Sequence, residues 1–291
     1  TPDDFARIVS THLADTHFVF DRVRFMTCGE VVSLNWVPDR NDIARMTALP
    51  QKLAKERAMP FLVVLKEFHN LMNADEYEDV FKIMETQMRE RDRSEQFQAV
   101  YVMTGAMVNA MKFIFEEKRF FYRQVNHVAF TPVDEKEIIE HIVKGFLNGM
   151  GKSFDRNLAM GACELFKCNL WYMNHLAAIC DALSKGFVTE NMMTDALNSM
   201  ISVHEPRFVS IVNDLTDHQL SLMKAVLDGV VKFSASDVIE KYHLNSSANV
   251  RRVKDALKKK EVITFNEKDE PVVLDPLFEY WIRRYYFEMT E

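Results

Sequence analysis

Two short runs with no polar residue, Phe61-Leu62-Val63-Val64-Leu65 and Ala99-Val100-Tyr101-Val102-Met103, constrain this chain most. Five consecutive apolar residues are too few for a buried helix, and their valines suit an extended backbone. Each run therefore reads as a strand buried on both faces, as in a parallel sheet. The segment from Asp75 to Arg91 carries helical periodicity between them, which makes the strand–helix–strand unit of an α/β fold. In such folds the working groups lie at the carboxyl ends of the strands. Here those ends are Lys66-Glu67 and Thr104-Gly105.

The same first region holds a helix behind Thr1, with Phe5, Ile8, Val9 and Leu13 on one face. A second helix runs from about Asp42 to Arg57, and Val125 to Phe130 is a third candidate strand. From 134 to about 206 the pattern is all-helical. Asp134, then Ser153 or Asp155, then Asn169 and Thr189 are placed to start four successive helices. From about 214 the pattern changes again. Thr216, Ser234 or Ser236, and Ser246 or Ser247 can cap three helices. Two strands follow, Val262–Phe265 and Pro271–Leu274, around a polar turn, and a last helix spans Asp275 to Phe287. Three helices and a β-hairpin in that order read as a winged helix-turn-helix. The chain is thus expected to be α/β and then all-α, in regions 1–133, 134–206 and 207–291.

Composition excludes several function classes. Eight glycines in 291 residues leave no cluster for a dinucleotide fingerprint. No stretch reaches 18 uninterrupted apolar residues and no secretory leader is visible, so a cytoplasmic protein without a membrane span is expected. The chain opens on Thr1 with no methionine, and its natural N-terminus is expected to lie upstream. Net charge is −7, so the molecule as a whole is no polyanion binder. Cys28, Cys163, Cys168 and Cys180 lack metal-ligand spacing and read as reduced core thiols. No metal site is expected.

Gly145 to Ser153 ends in Gly-Lys-Ser, like a phosphate-binding loop. The glycine required five positions before Gly151 is Phe146, however, and the segment follows a helix where such a loop must leave a strand. It reads as a helix–helix turn. Lys66 and Glu67 are either a solvated strand end or a site in which an ammonium replaces a metal-binding carboxylate. Ser246 to Lys260 holds six cations (Arg251, Arg252, Lys254, Lys258, Lys259 and Lys260) against Asp255. Val250, Val253 and Leu257 are spaced to face a core. That is the footprint of a recognition helix along nucleic-acid phosphates, and equally that of a solvated helix with lysines at its C-terminus. The acidic hairpin tip of Glu267, Asp269 and Glu270 opposes phosphate contact. Aromatic residues are dense at Phe120 to Tyr122 and at Tyr280 to Phe287, as core or as a partner surface.

Taken in order, several segments resemble the archaeal-type ATPase family of the STAND branch of AAA+ proteins, particularly its Bacteroidetes-like bacterial members. They are Phe61 to Asn70, Met103-Thr104-Gly105, Arg119 to Val125, Gly151 to Phe154, Trp171 to Leu176, Leu215 to Gln219, and Asp275 to Phe278 with Trp281. The resemblance implies a partial parallel P-loop NTPase core over 1–133, a helical lid over 134–206 and a C-terminal winged helix. It places Lys66 where the family has its magnesium-binding Asp and Glu67 where the following Glu stands. His69 takes a position usually held by Gln, Thr104 that of the γ-phosphate sensor, and Arg123 a segment that supplies an arginine finger. The family's ATP and Mg²⁺ are not expected in this chain, because its first strand and phosphate loop have no counterpart here and Lys66 cannot ligate a metal. A degenerate, non-hydrolysing interaction or regulatory module follows, working through a protein partner or self-association. The alternatives are a genuine ATPase whose loop lies upstream, or a winged-helix DNA-binding protein contacting phosphates through Arg251, Arg252, Lys254 and Lys258.

Overall fold

The two apolar runs pair in parallel, as expected. The computed structural model describes residues 20–26, 29–34, 40–90, 96–128 and 133–289, with residues 20–26, 29–34 and 40–42 described by backbone alone. Its contacts divide the chain into two compact units, 1–128 and 129–291.

In the first unit a hairpin of β1 (Phe20–Met26) and β2 (Gly29–Leu34) precedes α1 (Arg40–Arg57). Then come β3 (Phe61–Leu65), a 3₁₀ turn (Phe68–Asn73), α2 (Tyr77–Glu90) and β4 (Ala99–Met103). A short α3 (Val108–Lys112) continues into a π turn (Phe113–Glu117). The strands β3 and β4 run in register from Phe61 opposite Ala99 to Leu65 opposite Met103. One face of this sheet is covered. Tyr101 donates its hydroxyl hydrogen bond to the Thr47 carbonyl of α1, and Leu65 and Met103 pack on a core of Phe68, Phe81, Met84, Ile114, Phe120 and Phe121. Phe81 lies at the centre of that core, with ring centroids 5.3 Å from Phe68 and 5.0 Å from Phe120.

The other face departs from expectation. Leu62, Val64, Val100 and Val102 are exposed among the described residues, so the strands are not buried on both faces. An uninterrupted apolar run needs a layer on each side, and α1 and α2 both lie on one. Val125 to Val128 form no strand, and the rest of that candidate, like the helix behind Thr1, lies outside the described residues. The hairpin β1–β2 was not expected.

The second unit begins with four helices: α4 (Glu135–Met150), α5 (Arg156–Leu165), α6 (Leu170–Leu183) and α7 (Glu190–Asn213). Side chains of Asp134, Asp155, Asn169 and Thr189 accept hydrogen bonds from the first-turn amides of these helices. Those are the starts that sequence indicated, because a side-chain acceptor satisfies donors that no helical carbonyl reaches. Gly151 ends α4 in the left-handed region (φ 62°), and Lys152 donates to the Asp181 carboxylate at 2.5 Å and to its carbonyl. The Gly-Lys-Ser segment is therefore a helix–helix turn.

Next come α8 (Asp217–Leu227), α9 (Ser236–Lys241), α10 (Ser247–Lys259), the antiparallel pair β5 (Ile263–Phe265) and β6 (Pro271–Val273), and α11 (Pro276–Trp281), which runs into a π turn (Ile282–Tyr286). Thr216 and Gln219 form a reciprocal capping box at α8. At α9 the N-cap is Ala235, which has no side-chain acceptor, so neither serine caps that helix. One continuous core runs from Ile138 of α4 through Phe208 of α7 to Trp281 of α11.

Candidate functional site

At the carboxyl ends of β3 and β4 the backbone is clamped across the strands. The Thr104 amide donates to the Leu65 carbonyl at 2.9 Å, and the Phe68 amide donates to the Thr104 carbonyl at 2.8 Å. Between them Glu67 takes a left-handed conformation (φ 51°, ψ 45°), uncommon for a residue with a Cβ. Its Oε2 accepts a hydrogen bond from the Ala106 amide at 3.1 Å and lies 3.5 Å from His69 Nε2. His69 is buried, and its Nδ1 has no hydrogen-bond partner among the described residues. The close fit here depends on Gly105. A Cβ at that position would meet His69 Nδ1 at 2.7 Å and Met111 Sδ at 2.6 Å.

Glu67, His69 and Thr104 are thus brought to one strand-end cluster, with Lys66 exposed beside it. Arg123 sits on a separate turn after the π turn. There it is left-handed (φ 61°), exposed, and stacked 5.2 Å from the Tyr122 ring. Glu85 of α2 supports the same turn by accepting from the Phe121 amide at 2.5 Å. Between α1, α2 and the covered sheet face lies a groove of about 1010 Å³ lined by Met46, Val63, Val80, Met84 and Met88, with Lys66 and Glu67 also in its lining.

The cluster does not suit a divalent cation. It offers one carboxylate, already engaged by an amide and an imidazole, and the neighbouring Lys66 ammonium would oppose the metal's charge. Among the described residues no group of three His, Cys, Asp or Glu could hold a metal ion. The sequence named Glu67 and His69 but not the contacts of Glu67 with the His69 imidazole and the Ala106 amide. Only the tertiary placement of Ala106 reveals them.

On the winged unit, α10 buries Val250, Val253 and Leu257, as their spacing indicated. Arg251 and Arg252 are exposed and Lys258 is half-buried. Lys254 is not a free cation. Its ammonium lies 4.1 Å from the Phe265 ring centroid and 3.9 Å from the Asp269 carboxylate of the hairpin tip. The turn that places Asp269 is built by Asn266, whose Oδ1 accepts from the amides of Lys268 and Glu270.

A family described as a probable winged helix domain matches residues 206–284. Its range takes in α8 to α11 and the hairpin. The C-terminal part is a winged helix domain. Comparison with curated proteins gives no match. Among solved structures, the Walker-type ATPase PABY2304 of Pyrococcus abyssi superposes with a TM-score of 0.60 at 15% identity, over 85% of this chain and 68% of that one. At that identity the likeness establishes the fold alone. The ADP form of the ORC2 protein of Aeropyrum pernix gives a TM-score of 0.48 at 12% identity, over 86% and 70% of the two chains, below the level at which a shared fold can be argued. The architecture is therefore mixed α/β with a short parallel sheet, mostly helical, and closed by the winged helix domain. No helix of the described residues is long and apolar enough to cross a membrane.

Proposed function

We propose that this chain is a degenerate member of the archaeal-type, STAND-branch ATPases of AAA+ type, Bacteroidetes-like, that does not turn over ATP and serves as a cytoplasmic interaction or regulatory module. A core over 1–133, a lid over 134–206 and a winged helix over 207–291 are its proposed parts. The observation that carries the reading is the strand end. Lys66 stands where such an enzyme needs a metal-binding Asp, and the one carboxylate present, Glu67, is committed to tying β3 to the segment after β4. Thr104 is retained as a polar residue at the β4 end, and Arg123 keeps the place of an arginine finger. Losing the metal ligand removes the charge that neutralises the transferring phosphoryl group.

Phosphate release with Mg-ATP tests this directly. We expect no turnover, while about 1 s⁻¹, ordinary for an enzyme, would restore the reading of an active ATPase. Light scattering after size exclusion reports self-association, the simplest form of the interaction role. For the winged helix we favour a protein partner over nucleic acid, because Lys254 is held by Phe265 and Asp269. A low-salt gel shift with duplex DNA, wild type against Arg251→Ala/Lys254→Ala, decides this point. A shift at micromolar protein that the double variant abolishes would assign Arg251, Arg252, Lys254 and Lys258 to phosphate binding, with weak sequence preference.

A further inference from the structure

Three of the four cysteines lie among the described residues, and two of them face each other. Cys163 is in the last turn of α5 and fully buried; Cys168 is in the following turn and half-buried. Their sulfurs are 2.7 Å apart. A covalent disulfide is about 2.05 Å, so the two sulfurs must approach by about 0.65 Å to bond. The backbone turns back on itself between the two residues. Lys167 and Cys168 are both left-handed (φ 50° and 56°), and the Cys168 amide donates to the Cys163 carbonyl at 2.7 Å. Two consecutive left-handed residues with side chains each cost on the order of 1–3 kcal/mol and persist only when their surroundings enforce them.

Here the surroundings do so from three sides. Phe166 is fully buried and stacks on Tyr172 at 5.3 Å, Lys167 pairs with Glu279 of α11 at 2.5 Å, and Asn169 caps α6 through the amides of Trp171 and Tyr172. These contacts anchor the turn on both sides of Cys168. Cys180, by contrast, is buried with its sulfur 3.7 Å from Met193 Sδ.

We infer that Cys163 and Cys168 form a redox-active dithiol that a hydroperoxide converts to an intrachain disulfide. Cys168 is the residue that meets the oxidant, because it alone of the pair reaches solvent. Burial, first, and then the Cys168 contact push the Cys163 thiol up to about 12, which keeps it protonated at neutral pH. In the first step the Cys168 thiolate attacks one peroxide oxygen. The S–O bond forms, the O–O bond breaks, and the second oxygen leaves as hydroxide or alkoxide, which takes up the proton that the Cys168 thiol released and becomes water or alcohol. In the second step Cys163 sulfur attacks Cys168 sulfur. The S–S bond forms, the S–O bond breaks, and hydroxide departs with the Cys163 proton as water. The sulfur pair loses two electrons and the peroxide gains them. On this inference, the reading as reduced core thiols holds for Cys163 and Cys168 in the resting form only.

The test is peptide mapping of the full native chain after exposure to excess hydrogen peroxide, quenching and alkylation. Alkylatable thiols should fall from four to two. Trypsin cuts after Lys167, so the product should be peptide 157–167 linked to peptide 168–185, two hydrogens lighter than the reduced pair. Cys180 shares the second peptide, and chymotryptic cleavage at Trp171 and Tyr172 separates it from Cys168 without any variant. Dithiothreitol should restore all four thiols, and Cys168→Ser should abolish the link. A link through Cys180 or Cys28 would overturn the inference. So would Cys168 advancing to sulfinic acid while Cys163 stays alkylatable, or four thiols surviving peroxide that fully oxidises a small dithiol control.

Discussion

Replacing Asp275 tests how the helical bundle is joined to the winged helix, and the structure allows the loss to be worked out. One carboxylate oxygen accepts from the Leu277 and Phe278 amides at 3.0 and 3.1 Å and from the Tyr172 hydroxyl of α6 at 2.7 Å. The other oxygen pairs with Arg207 of α7. Asp275→Ala removes a helix cap, about 1 kcal/mol. It also leaves the buried Tyr172 hydroxyl without its charged acceptor, about 1.5–3 kcal/mol. The Arg207 side chain is 57% exposed, so screening holds its share below about 1 kcal/mol. The total is about 2.5–5 kcal/mol, which at a urea slope near 2 kcal/mol/M moves the midpoint by about 1.2–2.5 M. Urea titration followed by tryptophan emission suits the measurement, because Trp171 and Trp281 both lie in this unit. Asp275→Asn should keep the cap and lose the charge, costing less. Combined with Tyr172→Phe, it should show a coupling of about 1 kcal/mol or more. A loss below about 1 kcal/mol for the alanine variant, or strictly additive single changes, would refute the reasoning.

Three further changes follow from the same geometry. Phe81→Ala empties the centre of the first unit's aromatic core and should cost about 3–5 kcal/mol in denaturant unfolding; a loss under 1 would mean that the cluster is not a core. Gly105→Ala should destabilise the first unit by about 1–3 kcal/mol through overpacking, since a Cβ meets His69 and Met111; a neutral outcome would show that the strand-end cluster is loose. For His204 of α7, desolvation first and the Arg207 charge second lower its pKa below the ordinary value of 6.5. A base with a lowered folded pKa binds fewer protons folded than unfolded. Its effect on stability is therefore absent well above 6.5 and becomes a loss as pH falls through that value. His204→Gln should flatten thermal stability between pH 7 and 5, and an unchanged slope would contradict the assignment.

The strand pair and the helix starts were legible for local reasons. Five apolar residues twice over, and Asp, Asn, Thr or Ser ahead of an apolar period, act within a few residues of themselves. Where a start was misread, at α9, the residue at the cap is Ala235 and the local signal is missing. The hairpin β1–β2 left only a faint signal, Arg22 and Arg24 alternating with Val23 and Phe25 before Gly29. The sites were legible as residue types and hidden as arrangements. Nothing around Glu67 announces a left-handed backbone aimed at Ala106, 39 positions away. Nothing in the basic stretch of α10 says that Asp269 will take up Lys254. Both depend on contacts distant in sequence. The exposed face of Leu62 and Val64 was misread for the same reason, because composition calls for a cover and says nothing of whether the described residues supply one.

The Tyr172–Asp275 hydrogen bond also has a consequence in time. It joins residues 103 apart in a unit whose helices otherwise pack largely on their sequence neighbours. Closing a loop of that length costs about 2 kcal/mol more than closing one of ten residues, by the logarithmic law for flexible chains. Each capped helix and each neighbouring pair can form before that closure, so this link should belong to the late side of the folding barrier. Tyr172→Phe should then leave the refolding rate nearly unchanged and speed unfolding by most of the stability it removes. The carboxylate that fastens the winged helix to the bundle would thus govern how long the unit stays folded and have little influence on how fast it folds.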